Sequence, residues 1–472
     1  MKRRAYRATD VKDLRLENVL KAAPAGNATA GLDIGKFEVR GVVRWNDGGF
    51  ERPWKAESPS QIELLVGLLR RVADSRPLVV AMESTGTYGD VVRAKLHEAG
   101  LVVHRVGGKA AHDYAEVFDG VPSQHDGKDA AVIAELAAFG KSTPWPYRAK
   151  EDADAEMAYW ADWLDAQQSI QQLWTGRLES LLARHWPEAT RLLDLASVTL
   201  LSALAHYGGP AKLAGDPAAS ARLARWGRRG LESAKVEKFL ASASQTVGVP
   251  QGSQDLRRMQ QYAAMALAAY REIRKAREEL ERLARDNAVL QRQAKIVGKA
   301  TACVLWVALG DPRNYPCGEA YRKAMGLNLK ERSSGKHQGQ LKITKRGPSI
   351  VRKWMYFAAM RMSRSPLVRP WFEEKKAKDK GRGKGALIAI ARKLALALYS
   401  VGARGEAFEP QRLLSSEKRL RKAMHAERQR MRALADRRIE ASGELGGSAP
   451  NPPGFIALGP RIKRKGGGLL RP

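Results

Sequence analysis

The hydrophobic pattern near the start of the chain predicts strands. The runs ATAGLDIG (28–35) and FEVRGVVRW (37–45) are rich in apolar and β-branched residues and are separated only by Lys36. They predict two strands joined by a tight turn. A third strand is expected in GGFERPWKA (48–56). Neighbouring strands joined by short turns are antiparallel, so the sheet is expected to begin with antiparallel pairs.

Helical spacing then alternates with further strands. In SPSQIELLVGLLRRVA (58–73) apolar residues recur at helical spacing behind a serine cap. PLVVAMES (77–84) is a short, continuous apolar run, as expected for a strand buried on both faces. A helix through Ala94, the strand LVVHRV (101–106) and a helix that opens near Asp126 follow. This order predicts a mixed sheet with helices packed on it.

From about residue 151 to 295 the strand signals disappear. The run EMAYWADWLDAQQSIQQLWTGRLESLLARHW (156–186) predicts one long helix. Residues 256–287 carry an apolar seam at three- and four-residue spacing, which is the coiled-coil pattern. The seam is compatible with helix pairing within or between chains and equally with an ordinary antiparallel bundle. Its residues are Leu256, Met259, Ala263, Ala266, Tyr270, Ile273, Leu280 and Ala284.

A basic loop interrupts the mainly helical remainder. ERSSGKHQGQLKITKRG (331–347) holds two adjacent serines, and only Leu341 and Ile343 are apolar enough for a core. Glycines in this loop allow its backbone to approach another backbone closely. Pro348 predicts the start of a helix, in which Trp354 is expected to pack inward.

Composition and charge indicate the partner. Lys and Arg number 82 against 50 Asp and Glu, which gives a net charge of +32. Such charge self-repels unless a polyanion compensates it, so nucleic acid is the expected partner and a merely basic or ribosome-associated protein is the alternative. Two cysteines give no disulfide framework and fit a reducing cytoplasm. The basic start lacks the apolar region of a secretion signal, and no run reaches the roughly 18 apolar residues that span a bilayer.

Four acidic residues fall where a sheet domain should gather them. Asp33 lies within a strand, and Glu83 ends the central strand. Asp126 and Asp129 are three residues apart, so they share one helix face with the apolar stripe through Ile133 that must dock on the sheet. Converging carboxylates repel one another unless divalent cations neutralise them, and oxygen-rich sites suit Mg²⁺ or Mn²⁺.

Each acidic residue also has a simpler interpretation. The D-x-x-D pattern before an apolar run is often only a helix cap. Glu83 has many arginines with which to pair, and GLDIG fits the phosphate-binding hairpin of an actin-like ATPase. The ATPase interpretation also requires a second Asp-Gly phosphate loop and an adenosine site, for which the sequence shows no convincing pair.

The order GLDIGK, AMESTGTY, SQHDGKDA, the coiled-coil pattern and GLNLKERSSGKHQGQLKITKRG resembles the DEDD transposases of bacterial insertion sequences. These form the insertion-sequence one-ten family of bridge-RNA recombinases, and the resemblance covers roughly residues 28–400. One departure is KIVGKATA (295–302), where many members have a Pro-Gly-Ile-Gly turn. The resemblance implies an acidic tetrad that is both catalytic and metal-binding, and a nucleophilic serine. Carried over to this chain, they are Asp33, Glu83, Asp126 and Asp129, with Ser334 as the nucleophile and Ser333 as its less favoured neighbour.

The fold class expected from the resemblance is an α/β RuvC-like, ribonuclease-H-type N-terminal domain, then an α-helical coiled-coil region and a mainly α-helical serine-bearing domain. The expected segments are a basic arm (1–27), the RuvC-like DEDD domain (28–150), the coiled-coil region (151–295), the helical transposase domain (296–405) and a basic, largely disordered tail (406–472). The residues expected to bind nucleic acid are Lys336, Lys342, Lys345, Arg346, Arg352 and Lys353.

The function expected from these observations is that of a DNA recombinase. The enzyme would cut and rejoin donor and target DNA through a serine–phosphate intermediate, with Mg²⁺ or Mn²⁺ assisting. The resemblance implies a structured guide RNA and a tetramer on synapsis, and the seam suggests a homodimer through the coiled coil. The expected location is the bacterial cytoplasm, with no membrane partner. The alternatives are a RuvC-like, junction-resolvase type of nuclease that uses the tetrad and water, and a non-enzymatic binding protein from a decayed element, which the intact tetrad disfavours.

Overall fold

The computed structural model describes residues 8–83, 86–120, 126–147, 152–331, 341–413 and residue 429. The chain divides into two compact units, Met1–Lys150 and Glu151–Pro472. The first unit is built on a sheet, and the described part of the second is almost entirely helical. This arrangement confirms the predicted α/β domain followed by a helical remainder.

The sheet of the first unit is mixed. Its described strands are β1 (Thr9–Asp10), β2 (Ala28–Ile34), β3 (Glu38–Arg44), β4 (Trp54–Glu57), β5 (Leu78–Glu83), β6 (Val102–Val106) and β7 (Ser142–Pro144). They stand in the order β1-β4-β3-β2-β5-β6-β7. The hairpin of β2 and β3 and the β3–β4 pair are antiparallel, whereas β5 runs parallel to both β2 and β6.

Helices cover both faces of this sheet, because successive strand residues point to opposite sides. The helices of the unit are α1 (Leu16–Ala22), α2 (Ile62–Ser75), α3 (Asp90–Glu98), α4 (Gly108–Asp119) and α5 (Asp126–Ala138). Ala30 and Leu32 of β2 belong to the larger core, which also contains apolar residues of α2 and α3. Ala81 of β5 and Val42 of β3 pack instead with apolar residues of α5.

Some local features differ from the sequence prediction. The serine cap predicted for α2 is wrong: Gln61 is the N-cap residue, and its side chain makes no capping hydrogen bond. The Ser60 hydroxyl instead donates to the carboxylate of Glu57, 3.0 Å away. The pattern also missed α4 and the outer strands β1 and β7, of two and three residues. Within the segment predicted to be an arm, β1 pairs with β4 and Leu16 is buried.

The second unit contains long helices that frame shorter ones. Leu329–Lys330 (β8) and Lys342–Ile343 (β9) form an antiparallel pair, and no other strand is described in this unit. The helices up to the second long one are α6 (Asp152–His185), α7 (Ala189–Leu192), α8 (Val198–Tyr207), α9 (Pro210–Ala214), α10 (Ala219–Gly227), α11 (Ser233–Ser244) and α12 (Ser253–Leu283). Those that follow are α13 (Ala288–Val297), α14 (Lys299–Leu309), α15 (Gly318–Ala324), α16 (Ser349–Ser363), α17 (Arg369–Lys378) and α18 (Lys384–Ala403).

The apolar seam of α12 is buried inside the chain. Ile273 and Leu280 share a core with Met157 and Leu164 of α6. Met259, nearer the start of α12, lies in a second core that contains other residues of α6. The seam therefore pairs α12 with α6 of the same chain, and the homodimer expected through the coiled coil stays a prediction. The pattern identified the buried stripe, but the residues that cover a stripe are not encoded in its spacing.

The helix α18 forms the centre of the larger helical core. By length and composition it is apolar enough to cross a membrane, with a mean hydropathy of 1.6 over its most apolar window. However, 56% of that window is buried, and Ile390, Leu394 and Leu398 pack against α16 and neighbouring helices. We therefore interpret α18 as a core helix. Leu413, within the predicted tail, is also buried against this core, and most of the tail lies outside the described residues.

Candidate active site

Asp33 lies near the end of β2, on the sheet face that α5 covers. Gly31, two residues earlier on the same face, is a point of very close approach between the helix and the sheet. A Cβ atom at residue 31 would lie 2.0 Å from the carbonyl oxygen of Ala130, which is far inside contact distance. Because residue 31 has no side chain, the start of α5 can lie directly over the end of β2.

This approach brings three carboxylates together. One oxygen each from Asp33, Asp126 and Asp129 lies within 4.8 Å of the others. Asp33 and Asp129 are partly buried, and Asp126 is exposed. An ion pair between Arg44 of β3 and Glu135 of α5, both largely buried, holds the helix on the sheet. The structure therefore gathers three of the four predicted acidic residues into one cluster.

Glu83, the fourth acidic residue, lies beside this cluster rather than within it. It ends β5, as predicted, and its side chain lies against the start of α4. A Cβ atom at Gly108 would lie 2.1 Å from Oε1 of Glu83, so a larger residue there would displace the carboxylate from this position. Sequence reasoning missed Gly108 because α4 was not predicted.

The carboxylates affect one another electrostatically. Burial and, after it, the negative charges of Asp129, Asp126 and Glu83 together raise the pKa of Asp33 to about 6. Burial also raises the pKa of Glu83, with Asp129 adding to the rise. Both shifts have the sign expected when carboxylates share a partly desolvated site. The cluster therefore favours any arrangement that brings positive charge to it.

Arg40 supplies positive charge at the edge of the cluster. It is the cross-strand partner of Asp33 in the β2–β3 hairpin, and its Nε atom lies 3.2 Å from a carboxylate oxygen of Asp126. Its charge also lowers the pKa of Asp33. Sequence reasoning did not single out Arg40, although a turn centred on Lys36 and Phe37 pairs residue 33 with residue 40.

Lys128 anchors the helix between its two acidic residues. Its side chain is fully buried, and its Nζ atom lies 2.6 Å from a carboxylate oxygen of Asp119 at the end of α4. A buried ammonium requires such a partner, because burying an unpaired charge is costly. This pair ties the start of α5 to α4 and thereby helps to fix Asp126 and Asp129.

The donor set fits a divalent cation that prefers oxygen ligands. Asp33, Asp126 and Asp129 can each offer one carboxylate oxygen within 4.8 Å of the others, and Glu83 lies next to them. Mg²⁺ and Mn²⁺ bind such carboxylate sets, and their charge would offset the repulsion that raises the pKa of Asp33. The residues present therefore fit the predicted metal site.

The predicted serine lies in the other unit. Ser333, Ser334 and Lys336 are outside the described residues. The strands β8 and β9 bracket the segment that contains them, with Leu329 paired to Ile343. The role of Ser334 therefore stays a prediction.

The basic residues after the serine segment are exposed at a fixed turn. Lys342, Lys345 and Arg346 are all exposed. The turn requires glycine at residue 347, because a Cβ atom there would lie 2.2 Å from the carbonyl oxygen of Ala324. The three cations are accessible for phosphates, as their predicted role requires.

The helix α16 divides its basic and aromatic residues. Arg352 is directed back along the chain, where it donates to the carbonyl oxygen of Gly347 at 2.5 Å. Lys353 pairs with Asp165 at 2.7 Å, so its charge is already compensated within the protein. Trp354 is 5% exposed and also donates to Asp165, which confirms that it packs in the core.

Comparison with known proteins covers both units. The DEDD transposase model of IS110, described as "Transposase", matches residues 30–187 and includes all four acidic residues. The model described as "Transposase IS116/IS110/IS902 family" matches residues 292–376, the part that contains Ser334. Residues 188–291 lie outside both matches.

Individual proteins are also similar to this chain. Two solved structures of Thermus thermophilus RuvC, one in complex with a Holliday junction substrate, are 18% and 17% identical and cover 25% of this chain and 99% of theirs. Their TM-score of 0.20 is too low to assign a fold or an activity. The "Insertion element IS110 uncharacterized 43.6 kDa protein" of Streptomyces coelicolor is 26% identical over 401 residues, which is 80% of this chain and 95% of that protein. The two family matches and the similarity to this insertion-element protein, together with the acidic cluster, identify the chain as a member of the IS110 family of transposases.

Proposed function

We propose that this transposase cuts and rejoins DNA through a covalent serine–phosphate intermediate, assisted by a divalent metal ion at the acidic cluster. The observation that carries the proposal is the convergence of Asp33, Asp126 and Asp129 within 4.8 Å. Oxygen ligands so close together suit Mg²⁺ or Mn²⁺. When bound, the ion would stabilise the negative charge that develops on the phosphodiester.

The protein would supply the nucleophile itself. The Ser334 hydroxyl oxygen would form a bond to phosphorus as it loses its proton, and the bridging bond from phosphorus to a sugar oxygen would break. The released sugar oxygen takes up a proton and becomes a strand end. Because one phosphate ester replaces another, the phosphoester bond is preserved for rejoining, and no nucleotide triphosphate is needed.

The exposed cations around the serine segment support this role. Lys342, Lys345 and Arg346 would bind the phosphates that flank the attacked one, as Lys336 and Arg352 are also expected to do. Lys353 would contribute less, because it is paired with Asp165.

The decisive experiment looks for the covalent intermediate. The full-length protein is incubated with end-labelled DNA of its element and Mg²⁺ or Mn²⁺, and the reaction is resolved on a denaturing gel. Wild type should give a protein–DNA adduct. Ser334→Ala should lose both adduct and cleavage while still binding DNA, and the matched control Ser333→Ala should keep most of both. Asp33→Asn should abolish cleavage without preventing DNA binding.

The same gel separates the alternative function. A nuclease of the junction-resolvase type would use the acidic cluster and a water molecule, so the Ser334 hydroxyl would be dispensable. Normal cleavage by Ser334→Ala, with no adduct in wild type, would therefore overturn the serine proposal in favour of water attack.

We also propose that a structured RNA binds the protein and selects the DNA by base pairing. The net charge of +32 is suited to a protein that holds more than one nucleic acid chain. Protein purified from cells that carry the whole element should retain a defined RNA. Nuclease treatment that removes this RNA should abolish recombination, and adding the RNA back should restore it. Full recombination without RNA would contradict this part of the proposal.

Recombination between two DNA sites requires copies of the protein to assemble, so we expect a dimer, and a tetramer when the sites are paired. The seam of α12 is already covered by α6. The assembly should therefore use other surfaces, and light scattering with and without DNA measures it. A monomeric mass under both conditions would contradict assembly.

A further inference from the structure

Helices α8, α10 and α12 enclose a basic cleft within the second unit. The cleft has a cavity volume of about 610 Å³. Thr199 and Ser202 of α8, each less than a tenth exposed, contribute hydroxyl groups to its lining. Trp226 and Tyr270 contribute aromatic rings. Its charged lining residues are Arg225, Arg228, Arg271, Arg274, Lys275 and Glu278.

Most of this positive charge is not compensated locally. Arg274 pairs with Glu278, the acidic residue of the lining, at 3.0 Å, so the charge of Glu278 is already balanced and cannot compensate the other arginines. Among the described residues, no ion pair is made by Arg225, Arg228 or Arg271. Like charges held around one concave space repel one another and lower the stability of the fold unless an anion enters. The cleft therefore carries a cost that a polyanionic ligand would offset.

The backbone places these arginines around the opening. Arg225 lies in the last turn of α10, and Arg228 follows directly with a positive φ of 49°. Arg271 lies across the cleft on α12. A non-glycine residue at positive φ is uncommon and is held there by its surroundings. Arginines thus approach the cavity from two separate elements, so they can bind phosphates from both sides of a nucleic acid chain.

We propose that this cleft binds the sugar–phosphate backbone of a nucleic acid segment, through residues other than those of the acidic cluster. The guanidinium groups of Arg225, Arg228 and Arg271 would hold the phosphates, and the Trp226 ring would offer a surface on which an unpaired base can stack. The cleft lies within residues 188–291, outside both family matches, so membership of the family does not assign it. The inference rests on the proposed function only in taking nucleic acid as the ligand.

A charge-matched comparison tests the cleft. The variant Arg225→Gln/Arg271→Gln removes two charges from the cleft. The control Arg257→Gln/Lys238→Gln removes two charges from exposed positions on α12 and α11 that do not line it. Full-length proteins are titrated with labelled single strands and duplexes, in DNA and in RNA, between 50 and 200 mM salt. Over this range, roughly 50 to 200 mM, the affinity that phosphate contacts contribute depends strongly on the salt concentration.

The cleft variant should lose about one to two units of the slope of log affinity against log salt, since each lost phosphate contact removes up to about 0.9 of a unit. Its affinity should fall about tenfold or more at the upper end of the salt range, and the control should change less than about twofold. A response with DNA alone or RNA alone identifies the source of the phosphates. Equal responses of the two variants with every ligand would overturn the proposal.

A second measurement uses wild-type protein and so does not depend on how the variants fold. Arginines are modified with phenylglyoxal with and without the nucleic acid, and modified peptides are quantified by mass spectrometry. Arg225, Arg228 and Arg271 should be protected by bound nucleic acid, and Arg257 should not. Unchanged modification of all three at saturating ligand would overturn the proposal. Protection without any covalent adduct at Ser334 would retain the cleft while refuting the proposed serine chemistry.

Discussion

The Nε atom of Arg40 lies 3.2 Å from a carboxylate oxygen of Asp126, so a protein cation already occupies the edge of the acidic cluster. Arg40 also faces Asp33 across the β2–β3 hairpin and lowers the pKa of that carboxyl. It therefore offsets part, but not all, of the rise in the pKa of Asp33 that burial and the three other carboxylates cause. This relationship makes the stability of the metal-free protein depend on pH in a predictable direction.

Replacing Arg40 by glutamine should destabilise the protein more at pH 8 than at pH 5. The pKa of Asp33 is raised in the folded protein to about 6, so folding is favoured when this carboxyl is protonated, and stability falls as pH rises through that value. Loss of Arg40 raises this pKa further. The extra loss of unfolding free energy at pH 8 should be about 0.5–1 kcal/mol, measured by urea denaturation without metal.

The control is Arg71→Gln, which removes an exposed ion pair with Glu17 in the same unit. Exposed pairs contribute little, so its effect should be small and similar at both pH values. An Arg40→Gln protein that responds equally at pH 5 and pH 8 would show that Arg40 does not act on the Asp33 charge.

Replacing Asp33 by asparagine should stabilise the metal-free protein and remove its response to metal. Above pH 6 the variant no longer carries a carboxylate that burial disfavours, so it should gain roughly 1–3 kcal/mol at pH 7.5, and the gain should disappear near pH 4. Mn²⁺ should raise the melting temperature of wild type but not of the variant. Thermal unfolding with and without Mn²⁺ measures both effects.

Asp74→Asn is the matched control, since Asp74 is exposed and pairs with Arg70 outside the cluster. It should respond to Mn²⁺ as wild type does. The Mn²⁺ response of wild type should also weaken as pH falls from 7 to 5, because protons and metal compete for Asp33. A pH-independent response would place the metal elsewhere.

Removing the Lys128 ammonium should strongly destabilise the first unit. Lys128→Ala leaves Asp119, which is only 22% exposed, without this partner and opens a cavity beneath α5. We expect a loss of about 2–4 kcal/mol in unfolding free energy by urea denaturation. The double variant Lys128→Met/Asp119→Leu should recover part of the loss, because it removes both charges while keeping volume. If the double variant were as unstable as the single one, packing rather than charge would explain the effect.

Truncating Leu280 should cost stability without changing the assembly. Leu280 is fully buried against residues of α6 and α14, so Leu280→Ala should lower the unfolding free energy by about 2–4 kcal/mol. The exposed Met265 on the same helix supplies the control, and Met265→Ala should cost little. Light scattering should give the same mass for both variants as for wild type. A fall in mass with Leu280→Ala would restore the seam as a contact between copies.

The cluster could be predicted from the sequence because strand and helix periods act locally. The two-residue strand period puts Asp33 on the face opposite Leu32, and the helical stripe through Ile133 puts Asp126 and Asp129 towards the sheet. Both placements follow from which apolar residues must be buried. The geometry of the acidic cluster follows from these placements together with the close approach at Gly31.

Other features depend on contacts between segments that are distant in sequence. In the sequence, Lys128 occupies a polar position of an amphipathic helix. Only the position of Asp119 in the fold shows that Lys128 is buried and paired. The seam of α12 reads equally well as a contact with another chain. The basic cleft combines residues of three helices, and no local pattern brings Arg225 and Arg271 to one cavity.

The close packing at Gly31 determines how well this position tolerates substitution. A Cβ atom at this position would lie 2.0 Å from the backbone of α5, so even alanine would force the helix away from the sheet. The carboxylates of Asp126 and Asp129 would move with the helix, while Asp33 stayed on its strand. In a mutational scan scored by transposition, position 31 should therefore be as intolerant as the acidic positions, although it has no chemical group of its own to lose.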